Sequence, residues 1–194
     1  PSVAEPFIAK ALSHGINNAE TERLLFSLAA CRLARGDFAG AADVYASLHA
    51  ALPGKLLYLF CQGDARFRAG EVDAGTAQCG AAIEGLRRVA KDRADHLGEP
   101  LTQLIGQYSV VCQAFGEMAA KLDLFAKARA LGWIDDARVL LPAPAAAVSN
   151  RALLEYWSDH VTVVDDDAEI RGAMHRYADC WLMLDYVKDD TGKW

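Results

Sequence analysis

The stretch Leu25-Phe26-Ser27-Leu28-Ala29, followed by Gly36-Asp37-Phe38, decides the fold of the first half of the chain, because its pattern returns 34 residues later. Gly70 stands 34 residues after Gly36. The matching positions around the two glycines are Leu25, Leu28, Ala29, Ala41, Tyr45 and Leu48 in the first copy and Leu59, Gln62, Gly63, Gly75, Cys79 and Ala82 in the second. Glycine between two helix-length segments predicts a tight interhelix turn. The chain therefore begins with repeated helical hairpins.

This spacing, with small residues inside the helices, resembles the tetratricopeptide repeat, a pair of antiparallel helices. The first copy, residues 21–54, follows the pattern closely. The second copy departs from it, because Gln62 replaces a large apolar residue and Gly75 and Cys79 replace the usual alanine and aromatic residue. The alternative interpretation is two ordinary hairpins that agree in spacing by chance. Since such repeats must stack on one another, we expect residues 5–12 to be the second helix of a preceding repeat.

A repeat of this kind predicts a concave surface that binds a protein or peptide. By repeat position, its residues are Phe26, Ala30, Leu33, Leu57, Phe60, Asp64, Phe67 and Arg68. Repeats that bind chaperone tails clamp a terminal carboxylate with Lys and Asn, which Phe26 and Phe60 cannot do. The predicted groove is apolar instead. The alternative is that the protein's own following helices cover it, because exposed apolar patches of this size are uncommon.

Composition narrows the class of protein. The 194 residues carry a formal net charge of -6, and the acidic residues are dispersed, which argues against nucleic acid or an anionic membrane as partner. No apolar run approaches the roughly 20 residues of a membrane span. The five cysteines are widely spaced and form no C-x-x-C pair, which predicts reduced thiols, no zinc site and a cytoplasmic location. We expect no cofactor. The chain starts at Pro1, and we expect it to be a piece of a longer protein.

The pattern changes near residue 96, where we place a boundary between a helical domain, 1–96, and a second domain, 97–194. The polar run 91–96 is followed by Leu97-Gly98-Glu99-Pro100, and glycine and proline both stop helices. The helical half is expected to reach about Lys91.

Short apolar runs alternate with helical periods after this boundary. Strands are predicted at 101–105, 137–141 and 161–164, with a further strand or an extension at 109–112, and helices at 117–131 and 151–157. A last helix is predicted after Asp165-Asp166-Asp167, with one apolar face made of Ile170, Met174, Tyr177, Trp181 and Leu184. Strand, helix and strand within about 30 residues predict parallel pairing and a Rossmann-like α/β half in a chain that is mostly α overall.

Three strings in this half carry a second resemblance: Phe115-Gly116-Glu117-Met118, Leu131-Gly132-Trp133 and Asn150-Arg151-Ala152-Leu153-Leu154-Glu155-Tyr156-Trp157. They are similar to bacterial glycosyltransferases in which tetratricopeptide repeats precede a two-lobed, GT-B-like catalytic region. The resemblance covers about residues 101–194. It implies that this half is part of the acceptor lobe and that a lobe for the nucleotide sugar follows Trp194. Many relatives are expected to have His where Glu117 stands, so a general-base role is not carried over.

Gly116, Glu117 and Asn150 are the residues that the resemblance places at an acceptor or sugar site. Gly116 and Glu117 lie where a strand-to-helix loop meets a helix N-terminus, which favours bound ligands. The alternatives are an ordinary acidic residue in a first helical turn for Glu117 and an ordinary N-cap for Asn150.

Two other groups offer weaker candidates. The Asp165–Asp167 triplet follows the carboxyl end of a predicted strand and would suit a metal with a nucleotide diphosphate, but helix capping is the preferred interpretation, and we predict no metal site. Trp133, Trp157 and Trp181 could stack on sugars, but their positions favour core packing.

The sequence thus supports two functions. One is a repeat module joined to a partial acceptor lobe, incomplete for catalysis, with a glycan or glycoprotein as acceptor. The other is a non-catalytic repeat adaptor that binds protein. A Gly-rich Rossmann half encoded beyond Trp194 would favour the first.

Overall fold

A computed structural model of the protein describes residues 10, 19–105, 115–132 and 137–182, without the side chains of Phe115 and Glu117. Its contacts divide the chain into two units, Pro1–Gly85 and Leu86–Trp194. The strand predicted at 109–112 and the helix predicted at 5–12, apart from Lys10, lie outside the described residues, as do Trp133 and Leu184.

The first unit is helical throughout its described residues. Its helices are α1 Ala19–Ala34, α2 Phe38–Ala51, α3 Leu56–Arg68 and the first part of α4 Val72–Leu97. Helix α2 packs against both α1 and α3. The division between the units falls inside α4, whereas the sequence boundary at 96 lies at the end of that helix.

The turn between α1 and α2 is closed by glycine in the left-handed conformation, as the sequence predicts. Gly36 has φ +76°, and its N–H donates to the Leu33 carbonyl at 3.0 Å, while the Asp37 N–H donates to the Arg32 carbonyl at 3.0 Å. These two bonds are the Schellman motif, which satisfies the last carbonyls of a helix. The Asp37 side chain then caps α2 by accepting from the Gly40 N–H.

The turn between α3 and α4 repeats this geometry 34 residues later. Gly70 has φ +93°, its N–H donates to the Phe67 carbonyl at 3.1 Å, and the Glu71 N–H donates to the Arg66 carbonyl at 3.0 Å. Both turns also carry an ion pair at equivalent positions, Arg32–Asp37 at 3.8 Å and Arg66–Glu71 at 3.7 Å. The 34-residue period of the sequence is therefore repeated in the structure, both in the hydrogen bonds of the turns and in their ion pairs.

Helices α3 and α4 meet at two glycines. A Cβ on Gly75 would lie 2.5 Å from the Phe67 nitrogen and 2.6 Å from the Gly63 oxygen. A Cβ on Gly63 would meet the Gly75 oxygen at 2.8 Å and the Cys79 sulfur at 2.7 Å. The corresponding residues of the first hairpin, Ala29 and Ala41, are both fully buried. Gly75, which departs from the repeat pattern, thus allows a backbone-to-backbone contact that alanine would obstruct.

The second unit contains a small parallel sheet. Its strands, in the order β1-β2-β3, are β1 Thr102–Leu104, β2 Arg138–Pro142 and β3 Thr162–Val164. Its other elements are the end of α4, α5 Phe115–Ala130, a 3₁₀ turn Ala145–Ala147, α6 Arg151–Trp157 and α7 Asp167–Arg176. The predicted strands at 101–105, 137–141 and 161–164 are confirmed, and both ladders are parallel.

Helices cover both faces of this sheet. On one face Val139 and Leu141 pack with side chains of α5 and α6, among them Phe125 and Leu154. On the other face Leu140 packs with residues from the end of α4 and from the segment after α7. Consecutive residues of a strand point to opposite faces, so the apolar run of β2 serves two cores, as expected for a buried parallel strand.

The predicted last helix is wrong in its extent. Helix α7 ends at Arg176, and Met174 is exposed, so the apolar face does not continue to Trp181. Instead Trp181 forms a parallel bridge with Leu104, where the Leu104 N–H donates to the Cys180 carbonyl at 2.9 Å. Asp179, with φ +65°, lies in the turn before this bridge. Pairing with the free edge of β1 thus takes precedence over helical periodicity.

Candidate functional site

Two helices beside the sheet begin with the side-chain caps that the sequence predicts. The Asn150 side chain accepts from the Leu153 N–H at 3.1 Å and begins α6. The Asp166 side chain accepts from the N–H groups of Ala168 and Glu169 at 2.9 and 3.0 Å and begins α7. Capping therefore accounts for Asn150 and for the middle aspartate of the triplet, whereas Asp165 has no such role.

A cleft of about 220 Å³ lies at the carboxyl ends of β2 and β3. We call it the carboxyl-end cleft. Its lining residues are apolar Ala143, Val148, Leu154 and Val163 and polar Arg151, Glu155, Ser158 and Asp165. In parallel sheets, ligands bind outside the carboxyl ends of the strands, so this is the expected place for a site.

The polar residues of the carboxyl-end cleft come from two elements. Arg151, Glu155 and Ser158 are spaced i, i+4 and i+7, which places them on one side of α6, and Asp165 follows β3 directly. Within the described part of the chain, the side chains of Arg151, Glu155 and Asp165 have no hydrogen bond or ion pair. The Ser158 hydroxyl donates to the Glu155 carbonyl at 2.7 Å and keeps its acceptor lone pairs.

A second cleft of about 340 Å³ lies at the amino ends of β2 and β3. We call it the amino-end cleft. Its lining residues are Arg129, Ala137, Arg138, Val139, Ser158, Asp159, His160, Val161 and Thr162. Ser158 borders both clefts.

The end of α6 also carries an aromatic group. Tyr156 is 74% exposed and meets Trp157 edge to face, with ring centroids 5.4 Å apart. Trp157 packs partly against the core of the sheet and lies 5.6 Å from the His160 ring. Trp181 is buried in the other core, so both described members of the predicted tryptophan group pack against cores, although Trp181 does so from its bridge with Leu104 and not from the last helix.

Two of the predicted acceptor residues are absent from the described lining of this cleft. Gly116 is exposed in the first turn of α5, and the side chain of Glu117 lies outside the described residues. Gly116 does not line the carboxyl-end cleft, nor does Asn150, although its neighbour Arg151 does. The residues that line the cleft on α6 were missed, and the i, i+4, i+7 spacing of 151, 155 and 158 is the signal that could have indicated them.

The described ranges also contain potential metal ligands and thiols. No group of three or more His, Cys, Asp or Glu there could hold a metal ion. Cys31, Cys61, Cys79 and Cys180 are not in disulfides, and Cys79 and Cys180 are buried. Burial raises the pKa of Cys180, an effect that Arg93 partly offsets. Cys112 lies outside the described residues.

The aromatic residues predicted for the repeat groove contribute to helix packing. Phe60 is buried and Phe67 and Leu33 are half-buried. Phe26 is half-buried between Tyr45, at 5.8 Å edge to face, and Tyr58, at 6.2 Å.

Polar groups lie beside these aromatic rings. Asp64 and Arg68 form an i, i+4 ion pair at 2.9 Å along α3. Burial is the main cause that raises the pKa of Tyr45, with Cys61 and Asp64 adding to it. The charged members of the predicted groove are therefore paired with each other.

A half-buried carboxylate beside these rings joins helix α1 to α3. Glu22 accepts from the Lys55 ammonium at 2.6 Å and from the Tyr58 hydroxyl. Burial raises the pKa of Glu22, but these two hydrogen bonds outweigh it, and the net pKa is lowered. The first helices of the two hairpins are thus joined by a charged hydrogen bond as well as by Phe26.

Comparisons with known proteins give no match: no family model, no curated protein and no solved structure is similar to this chain. No helix in the described ranges has the length and apolar content that crossing a membrane requires.

Proposed function

We propose that the chain is the repeat module and part of the acceptor lobe of a glycosyltransferase, and that the carboxyl-end cleft holds the acceptor saccharide. The observation that carries this proposal is the cleft itself, which lies at the carboxyl edge of a parallel sheet and has three charged side chains with no partner among the described residues. The resemblance of residues 101–194 to two-lobed glycosyltransferases supports the same assignment.

The chemistry of the cleft suits a sugar. Glu155 and Asp165 offer carboxylate oxygens that accept from sugar hydroxyl groups, and Arg151 offers donors. Hydrogen bonds to charged groups contribute about 1.5–3 kcal/mol each, more than bonds between neutral groups. Apolar side chains such as Leu154 and Val163 can contact the C–H face of the ring. A carboxylate can accept a hydrogen bond from a sugar hydroxyl without a metal ion.

A nucleotide sugar suits this cleft less well. Its diphosphate would meet two carboxylates against one guanidinium group, which is an unfavourable balance for an anion. The described turns also offer no run of glycines of the kind that surrounds phosphates. The acceptor is therefore the preferred occupant.

The test is a titration of the 194-residue protein with neutral saccharides, such as glucose and cellobiose, and with nucleotide sugars, followed by amide chemical shifts and calorimetry. We expect saccharide-dependent shifts at residues 151–165 that Asp165→Asn and Glu155→Gln remove, and no tight binding of nucleotide sugars. The matched control is Glu169→Gln, because Glu169 is an exposed carboxylate on α7 that does not line the cleft. Absence of any saccharide shift in this region, or micromolar binding of a nucleotide sugar, would contradict the proposal.

The second candidate is an adaptor that binds a protein or peptide through the repeats. The repeated turn geometry and ion pair of the two hairpins favour it, since repeat modules of this type present binding surfaces. A protein partner captured by the intact chain and lost in Arg68→Ala, with saccharide binding absent, would support this function over the first.

A further inference from the structure

We propose that the saccharide held in the carboxyl-end cleft is an amino sugar, and that Glu155 and Asp165 bind its protonated amino group. This inference rests on the proposed function, because it names the class of saccharide that the acceptor site takes. It goes further by giving the acceptor a positive charge, whereas hydroxyl groups alone would suit any neutral sugar.

The charge of the carboxyl-end cleft favours a cation. Its described lining contains two carboxylates, Glu155 and Asp165, and one guanidinium group, that of Arg151. None of the three side chains has a hydrogen bond or ion pair with another described group. Arg151 and Glu155 are four residues apart on α6 and within reach of each other, so the arginine can offset the glutamate. Asp165 then remains without a counter-charge.

The residues next to Asp165 do not supply the missing positive charge. The carboxylate of Asp166 accepts from the N–H groups of Ala168 and Glu169 at 2.9 and 3.0 Å, so the first turn of α7 is directed to Asp166. Asp167 follows in the same turn and adds another carboxylate. A cationic group of the ligand is therefore the counter-charge that Asp165 favours.

The donor pattern favours an ammonium group over a hydroxyl. Ionised carboxylates only accept hydrogen bonds, and an ammonium group only donates them, with three N–H donors. Glu155 lies on α6 and Asp165 directly after β3, so the two carboxylates reach the cleft from different elements. One ammonium group can donate to both, whereas a hydroxyl has a single hydrogen to donate.

A metal ion is a less suitable cation for this cleft. Ca²⁺ takes about six to eight oxygen ligands, of which two carboxylates are a small part. No group of three or more His, Cys, Asp or Glu in the described ranges could hold a metal ion. Four lining residues have apolar side chains, which suit the carbon face of a sugar ring: Ala143, Val148, Leu154 and Val163.

The test compares two disaccharides that differ only at carbon 2: cellobiose, with hydroxyl groups there, and the β-1,4-linked disaccharide of glucosamine, with amino groups. At about pH 6 the amines are protonated and the carboxylates ionised. We expect the amino disaccharide to bind about fivefold more tightly there, a factor typical of one partly exposed ion pair, with amide shifts at residues 151–165. At about pH 9 the amines are neutral and the preference should disappear.

Three variants locate the charge. Asp165→Asn should lower the affinity for the amino disaccharide by a larger factor than the affinity for cellobiose. Arg151→Gln should widen the preference, because the basic side chain of the described lining no longer repels the ammonium group. The control is Glu169→Gln, which removes the same charge from an exposed residue outside the cleft lining and should retain the preference.

The outcomes separate this inference from the proposed function. Equal affinity of the two disaccharides, with shifts at residues 151–165, overturns the inference and leaves the proposed function standing. A preference that persists at about pH 9 also overturns it, since the amine is then uncharged. So does a preference that Glu169→Gln reduces as much as Asp165→Asn, because general attraction to an acidic protein would then explain the binding. Absence of shifts at residues 151–165 with either disaccharide contradicts the proposed function, and this inference with it.

Discussion

The repeat unit and the α/β unit differ at their tightest described points. Both bury large side chains, such as Leu48 in the first and Phe125 in the second, but in the repeat unit α3 and α4 also approach backbone to backbone at Gly63 and Gly75. The difference predicts that an added atom is costly at the glycine crossing and that removed atoms are costly at Phe125, because a tight crossing cannot expand and a truncated core residue leaves a cavity.

The largest effect is expected from Phe125→Ala. Phe125 is fully buried with Met118, Leu122 and Leu141 on one face of the sheet. Its loss should lower the free energy of unfolding by about 3–5 kcal/mol through lost burial and a cavity. All four tryptophans follow residue 86, so tryptophan fluorescence in a urea titration reports on this unit.

The control for Phe125→Ala is Leu131→Ala, just beyond the end of the same helix. Leu131 is 59% exposed, and its truncation should change stability by less than about 0.5 kcal/mol. Equal effects of the two substitutions would contradict the assignment of the core to this helix face.

A smaller effect is expected from Gly75→Ala, which tests the other side of the comparison. The added Cβ would lie 2.5 Å from the Phe67 nitrogen, a backbone atom that cannot move without separating α3 from α4. We expect a loss of about 1–3 kcal/mol, measured by helical circular dichroism in urea.

Gly80→Ala in the same helix is the matched variant, because nothing lies within 4 Å of its Cβ position. It should gain about 0.5–1 kcal/mol from helix propensity. Since both substitutions gain the same propensity, their difference measures the crossing alone. If Gly75→Ala is as stabilising as Gly80→Ala, the close contact is not present.

The sequence predicts the parts of this molecule whose causes are local. Each hairpin is predicted by the glycine that its left-handed turn requires. Strands β2 and β3 are predicted by short apolar runs. The bridge between Leu104 and Trp181 joins residues far apart in sequence, and no local signal marks it. In the sequence, Gly75 looks like a departure from the repeat pattern. Its packing role depends on the position of Gly63 in the facing helix, which the sequence does not give.

The candidate site shows the same limit. Arg151 and Glu155 carry no motif of their own in the sequence, and Asp165 was noted only as part of the aspartate triplet. Only the packing of α6 beside β3 brings the three side chains to one cleft. Asn150, which the sequence favoured, has an N-cap role that the chain could signal locally. The sequence motifs named the start of α6, whereas the lining residues required the tertiary structure.

A third prediction concerns Gly36→Ala in the repeat unit. Nothing lies within 4 Å of its Cβ position, so the cost is conformational and not steric. The φ of +76° should make the substitution cost about 1–2 kcal/mol, smaller than the upper range expected at the Gly75 crossing. Gly54→Ala is the control, because it also has open space and no left-handed φ. Equal thermal midpoints for the two variants would reject the turn as a source of stability.

The smallest effect is expected from Glu99→Gln, which alters the contact between the segment after α4 and the end of α7 in the α/β unit. Glu99 accepts from the Arg176 guanidinium and, at 2.7 Å, from the Tyr177 hydroxyl. The hydrogen bond from Arg176, followed by that from Tyr177, lowers the pKa of Glu99 below its ordinary value of 4.5. A carboxyl whose pKa is lower in the folded state stabilises the fold above its unfolded pKa. That contribution is lost as the pH falls through the folded pKa.

Glu99→Gln should therefore slightly lower stability near pH 7 and flatten its decline between about pH 5 and pH 3, since the amide cannot titrate. The control is Glu155→Gln, which removes an exposed carboxylate that has no ion pair among the described side chains. Urea titrations of the three proteins across this pH range measure both slopes. A Glu99→Gln curve parallel to wild type would show that Glu99 does not couple protonation to folding, and that the α/β unit depends on its large apolar core without this charged contact.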